Sequence, residues 1–116
     1  MILEKVPYSE PYKEFTLTAE STVTYLEYTA FVKDNVVYIC GNWEGSVTGS
    51  GSIAFVPAEY APKTAKTGSG MIKTANFGWA YGLYHVTESS GTHRIYQANT
   101  SGEVTSGEFT FIYPLG

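Results

Sequence analysis

The chain has 116 residues, 43% hydrophobic and 16% charged, with a formal net charge of −4. That length suits one domain, able to bury roughly two-thirds of its unfolded surface without metal or disulfide staples. Arg94 is the only arginine and the six lysines are scattered, so the cationic clusters that nucleic acid or an anionic membrane surface demand are missing.

Taken in chain order, almost every segment reads as strand. Residues 1–14, with Pro7 and Pro11 among mixed polar residues, read as a lead-in or linker, and residues 15–116 as the folded domain. Phe15, Leu17 and Ala19 alternate with Thr16 and Thr18. Val23 to Val32 is a β-branched and aromatic run with Leu26, Tyr28, Ala30 and Val32 on one face. Lys33-Asp34-Asn35 then turns the chain, since Asp and Asn tolerate left-handed backbone, and Val36 to Cys40 returns as a hydrophobic strand.

Gly45 to Ser52 is rich in glycine and serine and is expected to form a long loop or a glycine-broken edge. Ile53 to Val56 is short and apolar, and Pro57, Tyr60 and Pro62 form a rigid corner. Lys63 to Gly70 reads as a second small-residue loop, after which Met71-Ile72 opens a strand interrupted by Asn76 and Gly78. Trp79 to Val86 is aromatic-rich, and Glu88-Ser89-Ser90-Gly91 turns it back into His93 to Gln97. In the last stretch Phe109, Phe111 and Tyr113 alternate with smaller residues, the two-residue period of a strand packed on one face. Pro114, which has no N–H to donate, is expected to stop that ladder, leaving no charged or flexible tail. About eight strands at roughly ten-residue spacing predict an all-β fold, an antiparallel β-sandwich of jelly-roll type built as two stacked sheets.

The composition narrows the chemistry. Cys40 stands alone, which excludes an internal disulfide and suits assembly in a reducing cytoplasm. Nothing resembles an apolar run of about 18 residues, and Met1 to Tyr12 lacks a secretory h-region, so no membrane insertion is expected. Gly45-Ser46-Val47-Thr48-Gly49 approaches a nucleophile elbow but has Val47 at its centre. His85 and His93 flank a hairpin turn; they would face each other across an odd-numbered loop, whereas a two-residue Ser90-Gly91 loop would set His85 opposite Tyr96 and His93 opposite Glu88. In either register a third metal ligand is missing. The ten glutamates fall mostly on polar alternation positions and turns, where they keep sheet edges from pairing. The expectation is therefore a protein without catalytic residues, metal or cofactor.

Sugar binding asks for less: an aromatic face to stack on a pyranose ring and amide or carboxylate groups for its hydroxyls. Two places offer that mix, Gly41-Asn42-Trp43-Glu44-Gly45 and Asn76-Phe77-Gly78-Trp79-Ala80-Tyr81. Each sets a tryptophan beside glycine and an amide at the edge of a strand, where a core or interface tryptophan would equally fit. Within them Asn42, Trp43, Asn76, Trp79 and Tyr81 are the candidate ligand contacts.

Three passages resemble the C-terminal head domains of bacteriophage tail fibres and receptor-binding proteins. They are the strand Asn35 to Gly41, the strand and proline corner Ile53 to Pro62, and the ending Ser106 to Leu115. Val56 stands where leucine is usual and Ala61 replaces an arginine. The resemblance implies a homotrimeric β-sandwich at the fibre tip of a virion, made in the host cytoplasm, recognising a bacterial surface glycan. A structural module that trimerises and caps a fibre without touching a receptor is the alternative, and a polysaccharide-degrading enzyme a third.

Overall fold

The computed structural model describes residues 12–74, 78–98 and 102–115. Among these residues nine antiparallel strands form one continuous sheet: β1 (Tyr12–Glu14), β2 (Thr18–Ala19), β3 (Val23–Lys33), β4 (Val36–Thr48), β5 (Ser52–Val56), β6 (Lys66–Thr74), β7 (Gly78–Ser89), β8 (Thr92–Gln97) and β9 (Glu103–Pro114). Their order across the sheet is β1-β3-β4-β9-β6-β7-β8-β5-β2. A single 3₁₀ turn, Ala58–Tyr60, is the only helical element among the described residues. The all-β antiparallel class is as the alternation predicts. The expected sandwich is compatible with what is seen: its layers belong to one hydrogen-bonded sheet that curls over its own core.

The curl is closed by the chain itself. β1 pairs with β3 at one edge, and β2 pairs with β5 at the other. Only residues 15–17 join them, and that stretch spans roughly 14 Å at most. The two edges are thereby held close together. Leu17, at the crossing, is buried, and its backbone N–H donates to the Tyr28 hydroxyl at 3.1 Å. Phe15 stacks on Tyr60, with ring centroids 4.4 Å apart. The sheet thus begins at Tyr12, inside the stretch expected as lead-in; residues 1–11 lie outside the described residues.

Turn chemistry sets the registers. Asp34 and Asn35 both have positive φ (54° and 64°), giving a two-residue hairpin of the type that matches strand twist. Ser90 and Gly91 repeat the device between β7 and β8, at 53° and 83°. The consequence at the second turn is that His85 lies opposite Tyr96 and His93 opposite Glu88. The two histidines therefore sit on opposite faces of their hairpin.

β9 is an interior strand, flanked by β4 and β6. Phe109, Phe111 and Tyr113 are buried, each contributing about 1.5–3 kcal/mol of apolar burial. The Tyr113 hydroxyl donates to the Tyr60 carbonyl at 2.7 Å, fastening the proline corner to the middle of the sheet. Pro114 does not end the pairing: it still lies opposite Val36, and Leu115 N–H donates to the Asn35 carbonyl at 2.8 Å.

Both glycine-rich stretches are largely strand. β4 runs on to Thr48, leaving a short turn at residues 49–51 that is tied down by the Gln97 side-chain amide donating to the Gly49 carbonyl. β6 begins at Lys66 and includes Gly68 and Gly70. A Cβ at Gly70 would lie 1.8 Å from the Glu108 carbonyl oxygen, so β6 and β9 can approach this closely only with glycine there.

Candidate functional site

Alternation along each strand separates the two tryptophans completely. On β4, Val37, Ile39 and Trp43 point into the curl and are buried, Trp43 to 1% exposure. Its Nε1–H donates to the Tyr84 hydroxyl at 3.2 Å, and that hydroxyl donates to the Met71 carbonyl at 2.9 Å. The core aromatics thus have their polar ends satisfied, as burial requires. Burial pushes the Tyr84 phenol up to about 12, the Trp43 hydrogen bond partly offsetting this and the Glu108 charge adding to it. Burial likewise raises the Tyr113 phenol. Gly107 leaves the room: a Cβ there would lie 2.1 Å from the Tyr84 oxygen. Trp43 accordingly has no free face for a ligand, which corrects its assignment as a sugar contact.

Trp79 is the opposite case. On β7, Tyr84 and Val86 point inward, so Trp79, Tyr81 and Leu83 point outward, at 52%, 70% and 50% exposure. Register carries this row across the sheet. Trp79 lies opposite Lys73, Tyr81 opposite Met71 and Leu83 opposite Ser69 on β6. Continuing outward, Lys73 faces Ser106 and Met71 faces Glu108 on β9. Ser106 in turn faces Glu44, and Glu108 faces Asn42, on β4. Asn42 and Tyr81 therefore share one outer row, three strand spacings or roughly 14 Å apart. Asn76 lies outside the described residues.

Two irregularities open this face beside Trp79. The β4–β9 pairing shifts between Glu44 and Val47, and the β6–β9 pairing shifts between Lys73 and Thr74. Bulges on both sides of one strand locally break the ladder and re-aim side chains. The result is a hollow of about 520 Å³ lined by Thr22, Thr24, Glu44, Gly45, Ser46, Lys73, Thr105 and Ser106. Thr24 Oγ1 donates to the Glu44 carbonyl at 3.3 Å and Thr105 Oγ1 to the Lys73 carbonyl at 3.2 Å, fixing the rim. Next to it the Tyr25 hydroxyl donates to Glu27 at 3.2 Å, and that hydrogen bond and the Glu27 charge hold its phenol above the usual range.

No protein-family model matches the chain, and no curated protein matches it. What the site can do is therefore read from its own chemistry. Hydroxyls, one carboxylate and one ammonium line a hollow, with two exposed aromatic side chains beside it: the groups that meet the C–H faces and hydroxyls of a sugar. Sequence reasoning named Asn42, Trp79 and Tyr81, and held Glu44 within the first of its two stretches, but missed Lys73 and Ser106. Their contribution depends on register across β4, β9 and β6, which no local pattern encodes.

A second exposed apolar cluster lies elsewhere on the outer face. Tyr12 meets Phe31 edge-on at 5.4 Å, Phe31 stacks on Tyr38 at 4.9 Å, and Tyr38 is paired with Ile112, which is 64% exposed. Cys40, two residues from Tyr38 on the same outer side of β4, is exposed. Among the described residues no group of three or more His, Cys, Asp or Glu is placed to hold a metal ion.

Proposed function

We propose that this protein is a non-catalytic glycan-recognition module, the head of a phage or prophage tail fibre that binds bacterial surface carbohydrate as a homotrimer on the virion. The observation that carries the reading is the exposed pair Trp79 and Tyr81 beside a hydroxyl-rich hollow with Lys73 and Glu44 on its rim. The resemblance of Asn35 to Gly41, Ile53 to Pro62 and Ser106 to Leu115 to tail-fibre heads supports the bacterial surface as the source of the glycan. Monovalent affinity is expected in the millimolar to micromolar range, on the order of 4–8 kcal/mol, because the contacts are few and polar. Three heads acting together then supply avidity.

The test is a glycan array followed by titration against host cell-wall polysaccharide. Saturable binding that Trp79→Ala abolishes and Lys13→Ala leaves intact supports the proposal. Binding indifferent to Trp79→Ala removes it.

The outer cluster of Tyr12, Phe31, Tyr38 and Ile112 favours a second reading, a module that trimerises and caps a fibre without touching a receptor. Glycan binding separates the two, since both assemble as trimers. On that reading Ile112→Asp lowers the solution mass to that of the monomer, and Trp79→Ala changes no binding at all.

A further inference from the structure

The geometry points to a second subsite that continues the first around the bulged end of the sheet, so that the protein reads several consecutive rings of a neutral linear glycan instead of a single terminal sugar. This rests on the glycan-binding reading and extends it to the class and length of the ligand.

The hollow beside Trp79 does not end at its rim. A neighbouring hollow of about 390 Å³ is lined by Glu20, Ser21, Thr22, Ser46, Thr48 and Ser52, among others, and shares Thr22 and Ser46 with the first. The two meet where the β3–β4 register shifts between Val23 and Tyr25 and the β4–β9 register between Glu44 and Val47. The backbone there is pinned by Ser46 N–H donating to the Thr22 carbonyl at 3.1 Å, so the trough has a fixed floor.

Its chemistry is that of a polyol site. In the distal hollow the one lining acid, Glu20, is engaged with Arg94 at 3.5 Å, and the Ser46 hydroxyl donates to Glu103. Among the described residues no hydrogen bond engages the side-chain hydroxyls of Ser21, Thr22 and Thr48, and each of these residues is exposed. A hydroxyl both donates and accepts, which suits an uncharged sugar. The distal hollow has no lysine or arginine in its lining with which to hold a phosphate or a uronic acid. Aromatic contact is confined to the Trp79 end, so that end anchors one ring and the hydroxyl trough follows the rest of the chain.

The experiment is a calorimetric and array series with neutral glucose, mannose, galactose and N-acetylglucosamine oligomers of one to six units, with uronic-acid oligomers alongside. Wild type is compared with Ser21→Trp, which fills the distal hollow from an exposed turn, with Thr48→Val, which removes one hydroxyl at constant shape, and with Trp79→Ala. The expected result is affinity that rises about tenfold between short and long oligomers of a neutral series, the equivalent of one or two added hydrogen bonds. Ser21→Trp abolishes that rise and Thr48→Val reduces it, while both retain short-oligomer binding. Affinity independent of length, or a rise untouched by either variant, overturns the subsite and leaves the Trp79 site standing. Preference for the acidic series overturns the neutral-ligand assignment. Binding to none of the glycans removes the parent reading and this one with it.

Discussion

Trp43 and Trp79 occupy similar sequence surroundings and opposite physical worlds. Both stand near glycine and within three residues of an asparagine, yet one is 1% exposed and hydrogen-bonded in the core while the other is 52% exposed on the outer face. What separates them is strand parity. Trp43 falls in step with Val37 and Ile39, whereas Trp79 falls out of step with Tyr84 and Val86. A residue's chemistry says what it can do, but the two-residue period decides whether it holds the fold or meets a ligand.

The comparison breaks most visibly at the core. Trp43→Ala removes a fully buried indole and the donor to the Tyr84 hydroxyl, so a loss of about 3–5 kcal/mol is expected, read as the shift in urea midpoint. Tyr84→Phe keeps the ring but leaves the Trp43 N–H and Met71 carbonyl without their partner, with an expected cost of about 1–3 kcal/mol in the same assay.

Alkaline pH probes the same group without mutation. Tyr84 titrates at about 12 in the folded chain against 10.0 in the unfolded one. Its contribution is fully present below pH 10 and is lost as pH rises towards 12, because the folded state keeps a proton the unfolded state has given up. Stability is expected to fall by on the order of 2 kcal/mol across that window from this residue, and Tyr84→Phe flattens the fall. A pH-independent urea midpoint between pH 10 and 12 contradicts the buried placement.

The smallest expected change in stability is at the outer face. Trp79→Ala should move the urea midpoint by no more than about 0.5 kcal/mol while removing glycan binding. That split, stability without binding, is the counterpart of the Trp43 result.

Much of the fold was legible in the sequence because local chemistry and global packing agree there. The Asp34-Asn35 turn and the alternation of Phe109, Phe111 and Tyr113 specify their strands without help from elsewhere. The glycine stretches misled for the converse reason. Gly68 and Gly70 have the composition of a loop, but they are glycine because the β9 backbone lies against them, a demand made by residues some forty positions away. Trp43 could have been placed by extending the Val37–Ile39 period through Gly41. The hollow could not, since its two bulges arise from pairings between β4, β6 and β9 that are distant in sequence.

Iodide quenching of tryptophan fluorescence, with and without host cell-wall polysaccharide, tests the central claim most directly. Without polysaccharide the Trp79 emission is quenched and the Trp43 emission is not. Saturating polysaccharide is predicted to shield Trp79 and leave both emissions unquenched; a polysaccharide that binds while Trp79 stays fully open to iodide would contradict the assignment of this face as the glycan platform.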